Sequence, residues 1–164
     1  MVILGIDPGT TTVGWGAINK QGNTVEVLGY GVIETTPKIA QEIKLKEIYQ
    51  DILELFKNFK PDLVSIEKLF FFKNPKTVIS VAEAIGVIKV ACKLNDIDTV
   101  QYTPLQVKSI MVGYGRATKH QIQEEVKRYL KLKEIPKPDD AADGLALSIC
   151  ALISEDSLLS KLSV

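Results

Sequence analysis

Two short apolar runs in this chain each close on an acid. Val2-Ile3-Leu4-Gly5-Ile6 runs into Asp7-Pro8-Gly9, and Leu63-Val64-Ser65-Ile66 runs into Glu67. Runs of this length, rich in aliphatic residues and bounded by turn formers, read as strands. In parallel sheets the functional sites form beyond the strand ends. Asp7 and Glu67 are therefore placed to converge, provided the remaining chain builds a sheet that brings them side by side.

The remaining pattern builds such a sheet. Val13 to Ile18 and Thr24 to Ile33 are β-rich, and Gln21-Gly22-Asn23 between them is a hairpin signal. Residues 41–59 place Leu45, Ile48, Tyr49, Ile52, Phe56 and Phe59 on one helical face. Thr77 to Leu94 is a second helix, apolar nearly all round and rich in small residues. A helix of that kind is covered on most faces, either centrally or in an oligomer interface. Asp98 to Tyr102 is a further strand. Thr103-Pro104 predicts an N-cap with proline at N1, and Gly113-Tyr114-Gly115 breaks the helix it opens. Helices follow from Thr118 to Leu130 and from Asp139 to Ile153. The order βββαβαβα, with helices after it, predicts an α/β domain whose mixed sheet is antiparallel early and parallel later.

A second acidic pair lies in Pro138-Asp139-Asp140-Ala141-Ala142-Asp143. Asp140 and Asp143 are three apart, so both face one side of a helix near its start. Carboxylates gathered within a few ångströms repel one another unless a cation neutralises them. Hard divalent ions such as Mg²⁺ or Mn²⁺ suit an all-oxygen donor set. Two such ions can activate water and stabilise the leaving oxygen in phosphodiester hydrolysis. Taken singly, Asp7 is also a turn former and Asp140 a helix cap; together with Glu67 and Asp143 they form a metal-ligand pattern.

Charge narrows the substrate. The chain carries 20 basic and 20 acidic residues, unlike a general nucleic-acid binder. The distribution is uneven: residues 108–137 hold eight basic residues against three acids, and residues 68–93 hold five lysines against Glu83 alone. One face can hold a polyanion while an acidic pocket holds metal. Cys92 and Cys150 are lone thiols in apolar stretches, read as buried residues of a reducing compartment. No apolar run reaches a membrane span and the N-terminus has no signal-peptide pattern, so a cytoplasmic location with no membrane contact is expected.

Over nearly its whole length the chain resembles the RuvC family of Holliday-junction resolvases. The resemblance is carried by Gly5-Ile6-Asp7-Pro8-Gly9, by Ile66-Glu67-Lys68-Leu69-Phe70, by Gln106-Val107-Lys108 through Gly113-Tyr114-Gly115-Arg116-Ala117-Thr118-Lys119, and by Pro138-Asp139-Asp140-Ala141-Ala142-Asp143-Gly144-Leu145-Ala146. It implies a single RNase H-like nuclease domain over residues 1–164, with a mixed five-stranded sheet flanked by helices. It implies a homodimer, and two Mg²⁺ ions, replaceable by Mn²⁺, held by Asp7, Glu67, Asp140 and Asp143 as the catalytic set. The expected activity is paired nicking of two like-polarity strands of a four-way DNA junction in recombination and repair. The expected protein partners are the branch-migration proteins RuvA and RuvB. Phe70 matches a family aromatic that contacts bases near the crossover. Lys108 and Lys119 match family lysines that approach the backbone phosphates. Arg116, in the same glycine-flanked loop, is added as a nucleic-acid contact on its position alone.

Three rivals compete with this reading. The Asp7-Pro8-Gly9-Thr10-Thr11-Thr12 segment resembles the first phosphate loop of actin-like ATPases and sugar kinases, which need a second homologous half. A junction-binding module without catalysis would have no use for four acids. An RNase H-like nuclease acting on RNA or flaps would share them, and differs in the shape of its substrate.

Overall fold

The computed structural model describes residues 1–69 and 75–162. Strand β1 (Val2–Asp7) pairs antiparallel with β2 (Thr12–Gln21), which pairs antiparallel with β3 (Thr24–Glu34). Gly22, at a φ of 57°, takes the left-handed position in the two-residue turn between β2 and β3. Helix α1 (Gln41–Phe59) then carries the chain back, and β4 (Leu63–Glu67) lies parallel to β1. Helix α2 (Pro75–Leu94) leads to β5 (Asp98–Tyr102), parallel to β4. Helices α3 (Pro104–Val112), α4 (Lys119–Tyr129) and α5 (Asp139–Leu162) complete the chain. The sheet order is β3-β2-β1-β4-β5, the mixed five-stranded sheet expected.

Alternation along the strands divides the core in two. Ile3, Ile18 and Leu63 pack on one face with α3, α4 and α5, through Val107, Val126, Leu145 and Ile149. Leu4, Ile6, Val64 and Ile66 pack on the other with α1 and α2, through Ile48, Ile52, Ala84 and Ile88. In β1, Ile3, Gly5 and Asp7 therefore share the α5 side; in β4, Leu63, Ser65 and Glu67 do. The period of two is what sends both strand-end acids to the same face.

Local signals account for the helix starts. Thr103 accepts a hydrogen bond from the Gln106 amide while the Gln106 side chain accepts one from the Thr103 amide, and Pro104 follows the cap. Thr118 and Gln121 repeat this reciprocal cap at α4. Cys92 and Cys150 are buried and unpaired, and burial pushes both thiols up to about 12.

One expectation needs correction. Helix α5 does not stop at Ile153 but runs to Leu162. Residues 154–162 contain neither glycine nor proline, so nothing local stops it, and Asp156 on the added turns pairs with Lys20 of β2. Of the two arrangements expected for helix α2, central or in an oligomer interface, the central one does not hold: among the described residues it is covered on one side only. Ala84, Ile88 and Ala91 are fully buried, whereas Ile79, Val90 and Leu94 are 65%, 56% and 68% exposed. No helix of the described residues is long and apolar enough to cross a membrane.

Candidate functional site

Register places the first two acids. Ile6 pairs with Ile66 across β1 and β4, so Asp7 and Glu67 leave adjacent strand ends on the α5 side. The helix above supplies the other two. α5 lies almost in backbone contact with the sheet: a Cβ on Gly14 would stand 2.0 Å from the Asp140 carbonyl oxygen, and one on Gly16 2.6 Å from the Leu145 amide nitrogen. With glycine beneath it, the first turn of α5 sinks towards the end of β1. Carboxylate oxygens of Asp7, Asp140 and Asp143 come within 4.8 Å of one another. Glu67 stands beside Asp7 and shares a hydrogen bond with it.

The electrostatics are those of concentrated like charge. Burial, then the neighbouring charges of Glu67, Asp143 and Asp140, push the Asp7 carboxyl up to about 8. Burial also raises Asp143, although the Lys119 ammonium pulls it the other way. Burial works against the charged form of Lys119, but its hydrogen bond to Asp143 and the surrounding acids outweigh that and raise it. These are oxygen donors only, three of them close enough to share one small cation. The strong rise at Asp7 marks a charge deficit that a divalent ion would fill. The donor set therefore fits Mg²⁺ or Mn²⁺ and has no nitrogen or sulfur ligand that would favour zinc.

Next to the acids is a cavity of about 200 Å³. Glu67, Asp143, Lys108 and Lys119 supply its polar wall, and Val107, Ile122, Ala146 and Leu147 supply apolar lining. Lys108 reaches it from α3 and Lys119 from the first position of α4. Both expected lysines thus flank the acidic group. Arg116 lies exposed in the loop between α3 and α4, with no ion pair among the described residues. Phe70 lies outside the described residues.

The pair Asp139 and Asp140 resolves by direction. Asp140 faces Asp7 and Asp143. Asp139 turns outwards, 2.9 Å from the Lys137 ammonium, which holds its carboxyl below the usual carboxylate range. Sequence reasoning missed two polar neighbours. Tyr114, 46% exposed, accepts a 2.8 Å hydrogen bond at its hydroxyl oxygen from Nε2 of Gln121, which fixes the glycine-flanked loop to the start of α4. Gln123, 6% exposed, is buried on the same helix, where its side chain helps to hold the Asp139 carboxyl low. Spacing from Gln121 and Thr118 carried the first signal; nothing local announced the second.

Comparison with known proteins places this arrangement in a lineage. The family described as Crossover junction endodeoxyribonuclease RuvC matches residues 3–151. The chain is 50% identical over 163 residues to Crossover junction endodeoxyribonuclease RuvC of Fusobacterium nucleatum, covering 99% of this chain and 84% of that one. Its fold superposes on the Thermus thermophilus RuvC structure with a TM-score of 0.89 at 31% identity, covering 96% of both chains. The T. thermophilus RuvC solved in complex with a Holliday junction substrate gives a TM-score of 0.86 at 28% identity, again covering 96% of both. The layers and strand order are those of the RNase H-like fold. Matched along nearly its full length in both sequence and fold, the chain belongs to the RuvC family.

Proposed function

We propose that this protein is a metal-dependent crossover junction endodeoxyribonuclease: it resolves four-way DNA junctions by nicking two strands of like polarity. The observation that carries this is the meeting of Asp7, Asp140 and Asp143 within 4.8 Å, beside a cleft walled by Lys108 and Lys119, in a chain of the RuvC family.

Asp7, Asp140 and Asp143 are assigned as metal ligands, and Glu67 as the fourth acid of the catalytic set. Mg²⁺ is the expected ion, two per site, with Mn²⁺ as a substitute. When bound, such ions lower the pKa of a water and take up charge on the leaving oxygen. The chain's own residues do the rest. Asp7 and Glu67 are fixed on adjacent strand ends, so their spacing is set by the sheet and not by a loop. Asp140 and Asp143 are fixed one helical turn apart. Such rigidity keeps the ligands in place without reorganisation during the reaction. Lys108 and Lys119 are assigned to the phosphates flanking the scissile bond, where a positive charge orients the backbone and screens the acids. Phe70 and Arg116 are assigned to DNA as well, Phe70 to unstacked bases and Arg116 to the backbone.

Cutting two strands symmetrically calls for two such sites related by a two-fold axis. The homodimer supplies them, and the uncovered face of α2 is the surface we assign to it. RuvA and RuvB are the branch-migration partners that family membership implies, and the cytoplasm is where such DNA work takes place.

The test is a labelled synthetic four-way junction set against a linear duplex of matching sequence, each with Mg²⁺ and with chelator. Paired, ligatable nicks in the junction alone, abolished by chelator, are the expected outcome. Cutting of the linear duplex at an equal rate would sink the junction assignment, and cutting in chelator would sink the metal assignment.

A further inference from the structure

Lys119 begins α4 and reaches across to α5. Its Nζ lies 2.9 Å from Oδ2 of Asp143 and 3.9 Å from Oδ2 of Asp139. The two acids are four residues apart, one turn of the same helix face. Asp139 is itself anchored from its other oxygen by Lys137 at 2.9 Å. Asp143, in contrast, belongs to the cluster with Asp7 and Asp140. Among the described residues, Lys119 is the one cation ion-paired to any member of that triad.

An ammonium at this distance does part of what a metal would do. It supplies one positive charge and up to three hydrogen-bond donors to a group of mutually repelling carboxylates. It cannot do so alongside a divalent ion at no cost, since the two cations would compete for the same Asp143 oxygens and repel each other. Asp139 offers the lysine a second acid outside the triad, so it has a place to swing to. We infer that Lys119 is an internal counter-cation that guards the acid cluster and must be displaced from Asp143 when metal binds, which leaves its ammonium, tethered beside Lys108, for a DNA phosphate. This rests on the metal-site reading above and adds to it a competition between the protein's own cation and the cofactor.

Competition predicts that removing the lysine charge tightens metal binding even though it removes a side chain useful to cleavage. The full-length protein, without DNA, is titrated with Mn²⁺ and followed by electron paramagnetic resonance and by the rise in melting temperature. Lys119→Met is expected to bind Mn²⁺ on the order of tenfold more tightly than wild type, and to gain more melting temperature from it. Lys119→Gln carries the same expectation and serves where the methionine variant folds poorly. Lys119→Arg, which keeps the charge, and Lys108→Met, which removes a cleft charge not paired to Asp143, are expected to stay near wild type. Unchanged or weaker Mn²⁺ binding in Lys119→Met and Lys119→Gln, with wild type binding normally, overturns the inference and leaves the metal site standing. Equal tightening in Lys108→Met also overturns it, because general charge and not contact would then be the cause. Absence of Mn²⁺ binding in wild type and variants alike overturns both the inference and the site on which it rests.

Discussion

The carbonyl oxygen of Gly144 on α5 lies directly over Gly5 on β1: a Cβ built on Gly5 would stand 2.0 Å from it. No side chain fits between helix and strand there. The converse also holds, since a Cβ on Gly144 would come within 2.5 Å of the Trp15 carbonyl carbon on β2. This contact lets a helix carrying Asp140 and Asp143 settle against the strand carrying Asp7. Gly5→Ala must push α5 away from the sheet by pressing on backbone, which has no rotamer to yield. A cost of about 3 kcal/mol or more in stability is expected, at the upper end for overpacking. Cleavage should fall further than the melting temperature alone accounts for, because the displaced helix carries two of the proposed metal ligands. Calorimetry and a junction-cleavage assay on the folded fraction check this; a Gly5→Ala protein that melts like wild type would show that α5 is not held this close.

The raised carboxyl of Asp7 has a consequence for stability without metal. Its folded value, about 8, lies above its ordinary 3.8, chiefly because it is buried and then because Glu67, Asp143 and Asp140 surround it. Between those two values the folded chain holds a proton that the unfolded chain has released. Stability then falls as pH rises, the opposite of an ion-paired aspartate. The metal-free protein should lose melting temperature from about pH 5 to about pH 8. Asp7→Asn, which has no proton to lose there, should show a smaller loss, so its advantage over wild type grows with pH. Saturating Mg²⁺ should stabilise wild type most at the alkaline end, where the ion meets a charged Asp7 without displacing a proton. Thermal melts in chelator and in Mg²⁺ across that range test this, and a wild-type melting temperature that rises with pH in chelator would contradict it. The same Asp7→Asn variant should still bind a junction in a gel-shift assay while losing cleavage.

Lys108 and Asp143 share the wall of one cleft without being ion-paired to each other among the described residues. A lysine so placed has its charge available to an incoming phosphate. Lys108→Ala should therefore slow cleavage by about 10²-fold, the cost of one preorganised charge at a reacting centre. Junction affinity should drop by far less, since one phosphate contact among many sets it. Single-turnover rates beside gel-shift titrations separate the two. Equal losses in rate and affinity would make Lys108 a general binding residue.

Much of this geometry was legible because it is local or periodic. The apolar runs ending in Asp7 and Glu67 placed both acids at strand ends, and the Asp140–Asp143 spacing fixed which acids of α5 act together; the face shared by Asp7 and Glu67 follows from the β1–β4 register. The Thr103-Pro104 start of α3 was announced by its own cap. What escaped the sequence depends on contacts between distant segments. Gly5, Gly14, Gly16 and Gly144 read singly as strand or helix weaknesses, and only the crossing of α5 over β1 and β2 gives them a common purpose. The Lys137–Asp139–Lys119–Asp143 chain needs α4 docked on α5. Asp139 and Asp140 are told apart by spacing, since only Asp140 stands three residues before Asp143; that Asp139 turns instead to Lys137 and Lys119 shows only in the structure.

Helix α2 was legible in composition, which already offered an oligomer interface as one of two ways to cover it. Its apolar surface exceeds what the described residues cover, leaving Val90 and Leu94 more than half exposed. Between α1 and α2, Leu45, Tyr49, Val87 and Val90 line a groove with Glu42, Lys46 and Glu83 among its polar residues. An apolar floor with charges beside it is the composition of a protein interface, and symmetric cleavage needs a second copy. If a partner covers this face, a charge placed on it must be desolvated on association. Val90→Glu is expected to weaken self-association by at least about tenfold, or ~1.4 kcal/mol, while leaving the fold and the acid cluster of each protomer intact. Sedimentation at micromolar concentration should then show wild type as a dimer and Val90→Glu shifted towards monomer, with Mn²⁺ binding per chain unchanged. A wild type that sediments only as monomer would remove the dimer assignment. A Val90→Glu protein that stays fully dimeric would move the interface to another face.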